Sequence, residues 1–457
     1  MKIANINRFI QYLRTAFDAL QVEIAMEQIE QIAMVVHSAM ESSRRRYHCS
    51  DHALYMCEGM APRQVLAAVF HDIVYYQLDD GFPARVTHLL NPLVGRQGND
   101  LILRKTAGDD PDMQLCLEIF DFIPGQTLPL FRGMNEFMSA AVAVRMLQPF
   151  LAPADLIAVV ACIEATIPFR APEPDGRDNI QVLAERVRQQ GIKRLGLTDG
   201  PALDAFVDAT MVGAIQITNR DVASFAEPNP GRFVSGTWLL IEESNAPLSA
   251  VGVYTLQDYR EALSRMHNFL ESLQAPRVFH QYANFPSAAE YAEMTAAAAA
   301  NIAFTVAFLR LKILSIVIIE AMARDTGGNC PVSMFLGDIR SNAGMPERVE
   351  DYLPQGPSPA GLDAQLLQML EKGRPEDASN DLAVSPLTAF IYRSLGPQGC
   401  DAALAASRRM LIGEMSTRDF LMTLNPSMLR TIIDACARIA ISRKDRLNQL
   451  RAALADG

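Results

Sequence analysis

The sequence predicts an all-α protein with more than one domain. Nearly every segment with periodic apolar residues has helical spacing, and alternating strand patterns flanked by hairpin turns are almost absent. The chain has 457 residues, of which 49% are hydrophobic and 20% charged, and this composition is typical of folded rather than disordered protein. Because this length exceeds what one core usually supports, we expect about two or three helical domains.

The individual helices are placed by their apolar spacing and their boundary residues. The first alternates apolar and charged residues at helical spacing, and Pro62 opens a later one, as proline commonly does at a first helical position. The predicted helices cover residues 3–20, 26–43, 62–76, 137–147, 154–166, 180–190, 201–225, 256–274, 288–324, 362–370, 386–395 and 428–454. One extended segment is predicted at residues 232–241.

Gly/Pro-rich stretches indicate where the domains end. The longest covers residues 341–361, a shorter one covers 371–386, and a softer break lies near 227–233. We therefore predict a helical domain at 1–230 with an irregular insertion at about 82–150, a helical middle region at 231–340 and a C-terminal helical domain at 341–457.

Charge and cysteine usage limit the classes of partner and compartment. A net charge of −11 argues against general nucleic-acid binding, because such binding depends on clustered basic residues. The seven cysteines are scattered and form no C-x-x-C pair, as expected of buried thiols in a reducing compartment. The first twenty residues lack the apolar core and cleavage site of an export signal, so a cytoplasmic protein is predicted.

The segment 296–323 is the strongest candidate for a membrane helix. It is long enough to span a bilayer, but Arg310 and Lys312 lie at its centre and Glu320 near its end. Charges in the middle of a bilayer are costly. We therefore expect a buried core helix and no membrane association.

Three of the seven histidines cluster between residues 48 and 71. His48 and His52 are four residues apart, so they share one face if their segment is helical. In the next helix His71 and Asp72 lie opposite an apolar stripe, where small alanines allow close approach of another helix. An imidazole nitrogen and a carboxylate oxygen in one gap suit a divalent cation.

A distant carboxylate completes the predicted site. Asp221 lies inside the apolar stripe of its helix, and a buried carboxylate needs a cation, an arginine or hydrogen-bond donors. A metal ion and an arginine from another helix are both open as its partner. Asp199, Asp204 and Asp208 are alternatives, although the helix dipole explains Asp204 well.

These residues resemble a known signature. His48, the pair His71-Asp72 and Asp221 resemble the H…HD…D motif of the HD superfamily of metal-dependent phosphohydrolases. "RRRYHCSDHALYM" and "LAAVFHDIVY" are similar to segments of predicted bacterial families of this kind. The resemblance covers about residues 44–226 and implies an HD-type helical bundle that holds metal through His48, His71, Asp72 and Asp221.

The resemblance also implies a mechanism. A metal-activated water would hydrolyse a phosphoester such as a nucleotide, with Asp72 as metal ligand and catalytic residue, His52 next to the metal or facing substrate, and Arg46 as a further catalytic group. Arg44 and Arg45 would bind the substrate phosphate, although an exposed basic run is equally typical of a solvated turn. One divalent ion is expected, with Mn preferred and Fe, Co, Zn and Mg open.

Other functions stay open at this stage. Glu164, a lone acid in an apolar helix, is either a proton carrier or the partner of an arginine such as Arg170. The competing hypothesis is a non-catalytic HD-like regulatory or scaffold protein, with the C-terminal half binding a protein partner or forming a homodimer. The hydrolase hypothesis leaves four histidines dispensable for metal binding, namely His37, His88, His267 and His280.

Overall fold

The computed structural model confirms the predicted all-α class, with 67% helix and 3% strand. It describes residues 3–98, 100–130, 132–249, 252–338, 346–354, 359–376 and 381–454. The first eleven helices are α1 Asn5–Ala19, α2 Met26–Met40, α3 Ser50–Cys57, α4 Pro62–Phe70, α5 Tyr76–Asp79, α6 Thr87–Leu90, α7 Gln114–Phe120, α8 Met134–Leu147, α9 Pro153–Ala165, α10 Asn179–Leu195 and α11 Pro201–Asp221. The others are α12 Pro230–Ser244, α13 Leu256–Ser272, α14 Ala288–Thr326, α15 Val332–Leu336, α16 Ala364–Lys372, α17 Pro386–Leu411, α18 Thr417–Met422, α19 Pro426–Ile439 and α20 Lys444–Ala453.

The named strands form one small hairpin. β1 (Val94–Gln97) and β2 (Asp100–Leu103) are antiparallel, with Val94 opposite Leu103 and Gln97 opposite Asp100. The hairpin lies within the predicted irregular insertion. The same insertion also contains α8, which is buried along most of its length, so only part of it is irregular.

The chain divides into two compact units, and each is interrupted in sequence. The first comprises residues 1–226 and 274–299, and the second comprises 227–273 and 300–457. The first break lies close to the predicted boundary at 230, but the predicted middle region 231–340 is shared between the units. Side-chain hydrogen bonds hold segment 274–299 in the first unit. The Asn219 side-chain amide donates to the His280 carbonyl and accepts from the His280 N–H, and the Tyr282 hydroxyl donates to Asp208.

Helix α9 is the centre of the first unit. Every residue from Asp155 to Ala165 is buried, because the helix is apolar on all sides and contacts α4, α7, α8, α10 and α11. A helix that is hydrophobic around its whole circumference needs neighbours on every face. Helix α4 is also covered on all sides, since Gln64 to Phe70 are all buried. This packing fixes the end of α4, where His71 and Asp72 follow.

The second unit has its own aromatic core. Trp238, Phe308, Phe335 and Phe420 are among its largest fully buried side chains. Trp238 lies on α12, where a helix replaces the predicted extended segment 232–241. The Asn229 side chain accepts a hydrogen bond from Gly231 N and Pro230 occupies the first turn, so capping and helical burial outweigh the β-branched and aromatic content.

Several helix ends differ from the predicted ones. Helix α4 stops at Phe70 rather than at residue 76, which leaves His71 and Asp72 in a turn. The long helix predicted at 428–454 is divided into α19 and α20 by the non-helical backbone of Ala440. Helix α17 is interrupted at Gly396, immediately before Pro397. Gly396 has a φ of 66°, a value that glycine adopts without the steric cost of a Cβ atom.

Helix α14 contains the segment that resembles a membrane span. By length and composition it could cross a bilayer, but 67% of its most apolar window is buried inside the protein. Its charged residues form ion pairs. Lys312 Nζ lies 3.0 Å from Asp381, and the Arg310 guanidinium lies 2.7 Å from Asp401. The Glu320 carboxylate pairs with Arg260 on α13 and with Arg324 on α14 itself, at 2.6 Å each. These contacts are typical of a core helix, as the sequence predicted.

The predicted linker at 341–361 does not separate the two units, because the described residues on both sides belong to the second unit. Residues 341–345, 355–358 and 377–380 of the predicted linkers lie outside the described residues. All seven cysteines are free thiols, and every one except Cys49 is buried. The predicted buried thiols are therefore present at six positions.

Candidate metal centre

Three separate segments bring four candidate ligands to one point in the first unit. His52 is the third residue of α3, His71 and Asp72 follow the end of α4, and Asp221 is the last residue of α11. Contacts of α4 with α3 and α11 set the spacing between these segments. The tertiary packing therefore assembles side chains that are up to 169 residues apart in sequence.

The distances between the four side chains are short. His52 Nε2 lies 2.9 Å from Asp221 Oδ1 and 4.0 Å from Asp72 Oδ2. His71 Nε2 lies 3.0 Å from Asp72 Oδ2 and 3.8 Å from Asp221 Oδ1. Two imidazole nitrogens and two carboxylate oxygens thus face one small space.

The ring orientation of His71 is fixed by the backbone of α4. Its Nδ1 lies 2.8 Å from the Ala68 carbonyl oxygen, which can only accept a hydrogen bond, so Nδ1 carries a proton. The other nitrogen, Nε2, is buried and has no aligned hydrogen-bond partner among the described residues, although Asp72 Oδ2 is close. Such an orphaned atom beside two carboxylates indicates a site for a proton or a cation.

The pKa values agree with this geometry. Burial lowers the pKa of His71, but the negative charges of Asp72 and Asp221 outweigh burial and raise it to about 9. Burial acts to raise the pKa of Asp72, and the neighbouring histidines overcome it and hold that pKa well below its usual range. A metal-free site therefore keeps a proton on His71 at neutral pH.

The donor set fits a divalent metal ion. With metal–ligand bonds of about 2.1 Å, ligand atoms at right angles lie about 3.0 Å apart and opposite ligand atoms about 4.2 Å apart. The four distances above, from 2.9 to 4.0 Å, match this range to within about 0.1 Å. His52, His71 and Asp72 can each offer an atom such that all three atoms lie within 4.8 Å of one another. Mixed imidazole and carboxylate ligands suit transition metals and Mn²⁺.

His48 lies next to this group and not on a shared helix face with His52, because α3 begins only at Ser50. Its ring lies 4.9 Å from that of Tyr75, 5.1 Å from Tyr47 and 5.9 Å from His52. Its charge also contributes to the lowered pKa of Asp72. The structure therefore places His48 as well as His52 close enough to act on Asp72, with the His48 ring held between two tyrosines, and both histidines stay candidate ligands.

The three arginines before His48 have different surroundings. The Arg45 guanidinium is buried, donates two hydrogen bonds of 3.0 and 2.6 Å to the Asp79 carboxylate, and donates one of 2.6 Å to the Asp72 carbonyl oxygen. Arg44 is half-exposed and 3.7 Å from Asp80, and Arg46 is exposed. Arg45 therefore ties the histidine loop to the segment after Asp72, and its guanidinium is occupied by these contacts.

The alternatives to Asp221 are engaged elsewhere. Asp204 lies 2.5 Å from Arg188, Asp199 lies 3.6 Å from the same arginine, and Asp208 accepts a hydrogen bond from Tyr282. Within the described part of the chain, these three form no ion pair with a histidine of the site, whereas Asp221 lies beside two of them.

Glu136 is a titratable residue near the site that sequence reasoning missed. Burial raises its pKa to about 7, and the charges of Asp72 and Asp221 act in the same direction. Arg170 acts in the opposite direction but does not cancel the increase. Because Glu136 lies in the first turn of α8, where the helix dipole already accounts for acidic residues, the sequence contains no signal for it.

Glu164 has a structural partner. Arg170 donates two hydrogen bonds to its carboxylate, 2.6 and 3.1 Å long, and only 1% of the Glu164 side chain is exposed. Of the two roles that the sequence left open, pairing with Arg170 is therefore the one present.

Comparison with protein-family profiles, with curated proteins and with solved structures gives no match for this chain. The interpretation of the site accordingly depends on its own geometry and chemistry.

Proposed function

We propose that this protein is a metal-dependent phosphohydrolase that acts on a small phosphoester such as a nucleotide. The observation that carries the proposal is the convergence of His52, His71, Asp72 and Asp221 around the orphaned Nε2 of His71. The resemblance of the surrounding segments to the HD superfamily supports the same reaction class and an HD-type bundle for the first unit. Manganese is the first metal to test, followed by iron, cobalt, zinc and magnesium.

The proposal assigns a role to each side chain near the site. When bound, a divalent cation polarises a phosphoryl oxygen and lowers the pKa of water to near neutrality. Asp72 and Asp221 supply charge to hold it, and the hydrogen bond from His71 to Ala68 keeps the Nε2 lone pair directed at the site. His48 and His52 are the candidates for a second imidazole ligand, since the charges of both act on Asp72.

Substrate contact is assigned to the exposed part of the arginine run. Arg44 and Arg46 are the candidates for holding the substrate phosphate, because a guanidinium can donate two parallel hydrogen bonds to it. Arg45 is a positioning residue in this scheme, since Asp79 and backbone carbonyls occupy its guanidinium. Glu136 is placed to hold or release a proton near the site.

The test is metal content by mass spectrometry of protein purified without a histidine tag. Wild type is expected to retain about one equivalent after incubation with Mn²⁺. Asp72→Ala and Asp221→Ala should each lose it, and His88→Gln, which changes an exposed histidine outside the ligand set, should keep it. Circular dichroism checks that all variants remain helical, and metal-loaded wild type is then screened against nucleotides and simple phosphoesters.

Two results distinguish the hydrolase from a non-catalytic scaffold protein. Hydrolysis that is lost when Asp72 or Asp221 is replaced supports the proposed hydrolase. Absence of bound metal in wild type after incubation with Mn²⁺ and Fe²⁺ contradicts it and favours a helical regulatory or scaffold protein.

A further inference from the structure

The first unit contains a polar cavity that none of the candidate metal ligands lines. Its volume is about 160 Å³, below the roughly 300–1,000 Å³ of pockets that enclose a drug-sized ligand, so it suits one small group. Its walls come from the segment between α9 and α10, the start of α10, residues 276–281 and the start of α14. The polar and charged lining residues are Arg170, Asp178, Asn179, Arg277, His280, Gln281 and Tyr291.

Most neutral polar groups of the cavity already serve the protein. Tyr291 donates its hydroxyl hydrogen to the Pro276 carbonyl, and Asn179 donates from its amide to the Ala171 carbonyl. These bonds fix the walls. Gln281 likewise donates from its amide to the Pro286 carbonyl. The stronger donors that a ligand can use belong to Arg170, Arg277 and His280.

Arg170 is rigidly held and still has donors to offer. Its two hydrogen bonds to Glu164 use two of the five N–H groups of a guanidinium, which leaves three. Because Glu164 is buried, the pair is a preorganised wall rather than a flexible surface contact. Arg277 is half-buried and forms no ion pair with any carboxylate in the described part of the chain, so its charge is uncompensated.

His280 adds a directional donor. The Asn219 side chain holds both the N–H and the carbonyl of His280, through two hydrogen bonds of 2.8 Å each. Burial lowers the pKa of its imidazole, and the charges of Asp178 and Glu164 offset this only in part. The ring is therefore neutral at neutral pH and donates one hydrogen bond.

Asp178 supplies the opposite chemistry at the edge of the cavity. One of its carboxylate oxygens accepts a hydrogen bond of 2.7 Å from Ile180 N and caps α10. Its carboxylate keeps acceptor capacity for a group in the cavity that can donate a hydrogen bond. The lining therefore combines two arginines, one imidazole N–H and one carboxylate.

We propose that this cavity binds a phosphate group that still carries a proton or has a neighbouring hydroxyl. Arg170, Arg277 and His280 donate to its oxygens, and Asp178 accepts from its O–H. Arginine is the preferred partner of phosphate because its donors match two oxygens at once. Sulfate has the same shape but carries no proton at neutral pH, so the Asp178 carboxylate repels it. The site goes beyond the proposed hydrolase activity and does not require a metal ion.

The experiment is isothermal titration calorimetry of the full chain, stripped of metal with a chelator, with inorganic phosphate and sulfate as probes. Wild type is expected to bind about one equivalent of phosphate and to bind sulfate at least about tenfold more weakly. Arg277→Gln should weaken phosphate binding by about tenfold or more. Arg85→Gln, which removes an exposed arginine outside the cavity, should leave it unchanged.

Two further variants make the test specific. Asp178→Asn keeps a residue that caps helices well, so α10 should remain folded, and it should bring sulfate affinity close to that for phosphate. Asp72→Asn alters the candidate metal centre and should leave phosphate binding unchanged.

Outcomes that overturn the proposal are equally defined. They are no phosphate binding by metal-free wild type, an unchanged affinity in Arg277→Gln, or loss of binding in Asp72→Asn. The last result would assign the phosphate to the metal centre instead. Titration with a nucleoside monophosphate, with inorganic phosphate as the reference, then distinguishes an organic phosphate from the free anion. Tighter binding of the nucleotide assigns the cavity to an organic phosphate, and tighter binding of inorganic phosphate assigns it to the free anion.

Discussion

Competition between a proton and a metal ion at His71 gives the sharpest prediction. The Nδ1–H of His71 is committed to Ala68, so Nε2 is the nitrogen that faces the candidate centre, and its pKa of about 9 means that it is protonated at neutral pH without metal. A metal ion must displace that proton. Metal binding should therefore strengthen as pH rises toward 9.

The magnitude follows from the pKa. Well below pH 9 each unit of pH changes the apparent dissociation constant tenfold, which corresponds to about 1.36 kcal/mol, and the change is smaller close to the pKa. Between pH 8.5 and pH 7.0 the affinity for Mn²⁺ should therefore fall by about 25-fold. About one proton should be released for each ion bound at pH 7.0.

Electron paramagnetic resonance of free Mn²⁺, measured across this pH range, gives the dissociation constant directly. Calorimetry in two buffers with different ionisation enthalpies counts the released protons. An affinity that is independent of pH from 7.0 to 8.5, with no proton release, would refute the assignment of His71 Nε2 as a protonated metal ligand. The His88→Gln variant should reproduce the wild-type slope.

Two predictions concern buried charge and are measured by urea unfolding. Arg45→Ala should lower the free energy of unfolding by about 3–5 kcal/mol, because it leaves the Asp79 carboxylate buried without a cation, whereas Arg44→Ala should cost less than about 1 kcal/mol. In the second unit Asp381→Asn should cost about 3–5 kcal/mol, since it leaves a buried lysine and arginine unpaired, while Asp401→Asn on an exposed pair should cost less than about 1 kcal/mol. Equal losses in either matched pair would contradict the role given to burial.

Local patterns were sufficient for the helical class and for much of the site. Apolar spacing identified most of the helices, and the placement of Asp221 in an apolar stripe singled it out from three other aspartates. These succeed because the spacing of residues on a helix is set by local backbone geometry. The charges within residues 296–323 likewise predicted a buried helix, and the structure pairs them.

Other features depended on contacts that no local pattern encodes. Helix α4 ends before His71 and α3 begins only after His48, so these two histidines lie in turns beside the helices rather than on them. The return of residues 274–299 to the first unit depends on the hydrogen bonds between Asn219 and His280.

The sequence by itself therefore determined which residue types meet in the first unit and that helices carry them. Only the tertiary structure decided which nitrogen of His71 faces the site, that Arg45 is occupied by Asp79, and that the charges of two aspartates act on Glu136. The physical reason is that helix formation follows from interactions three or four residues apart. Ligand geometry and pKa follow from burial and from charges that are brought together by side chains distant in sequence.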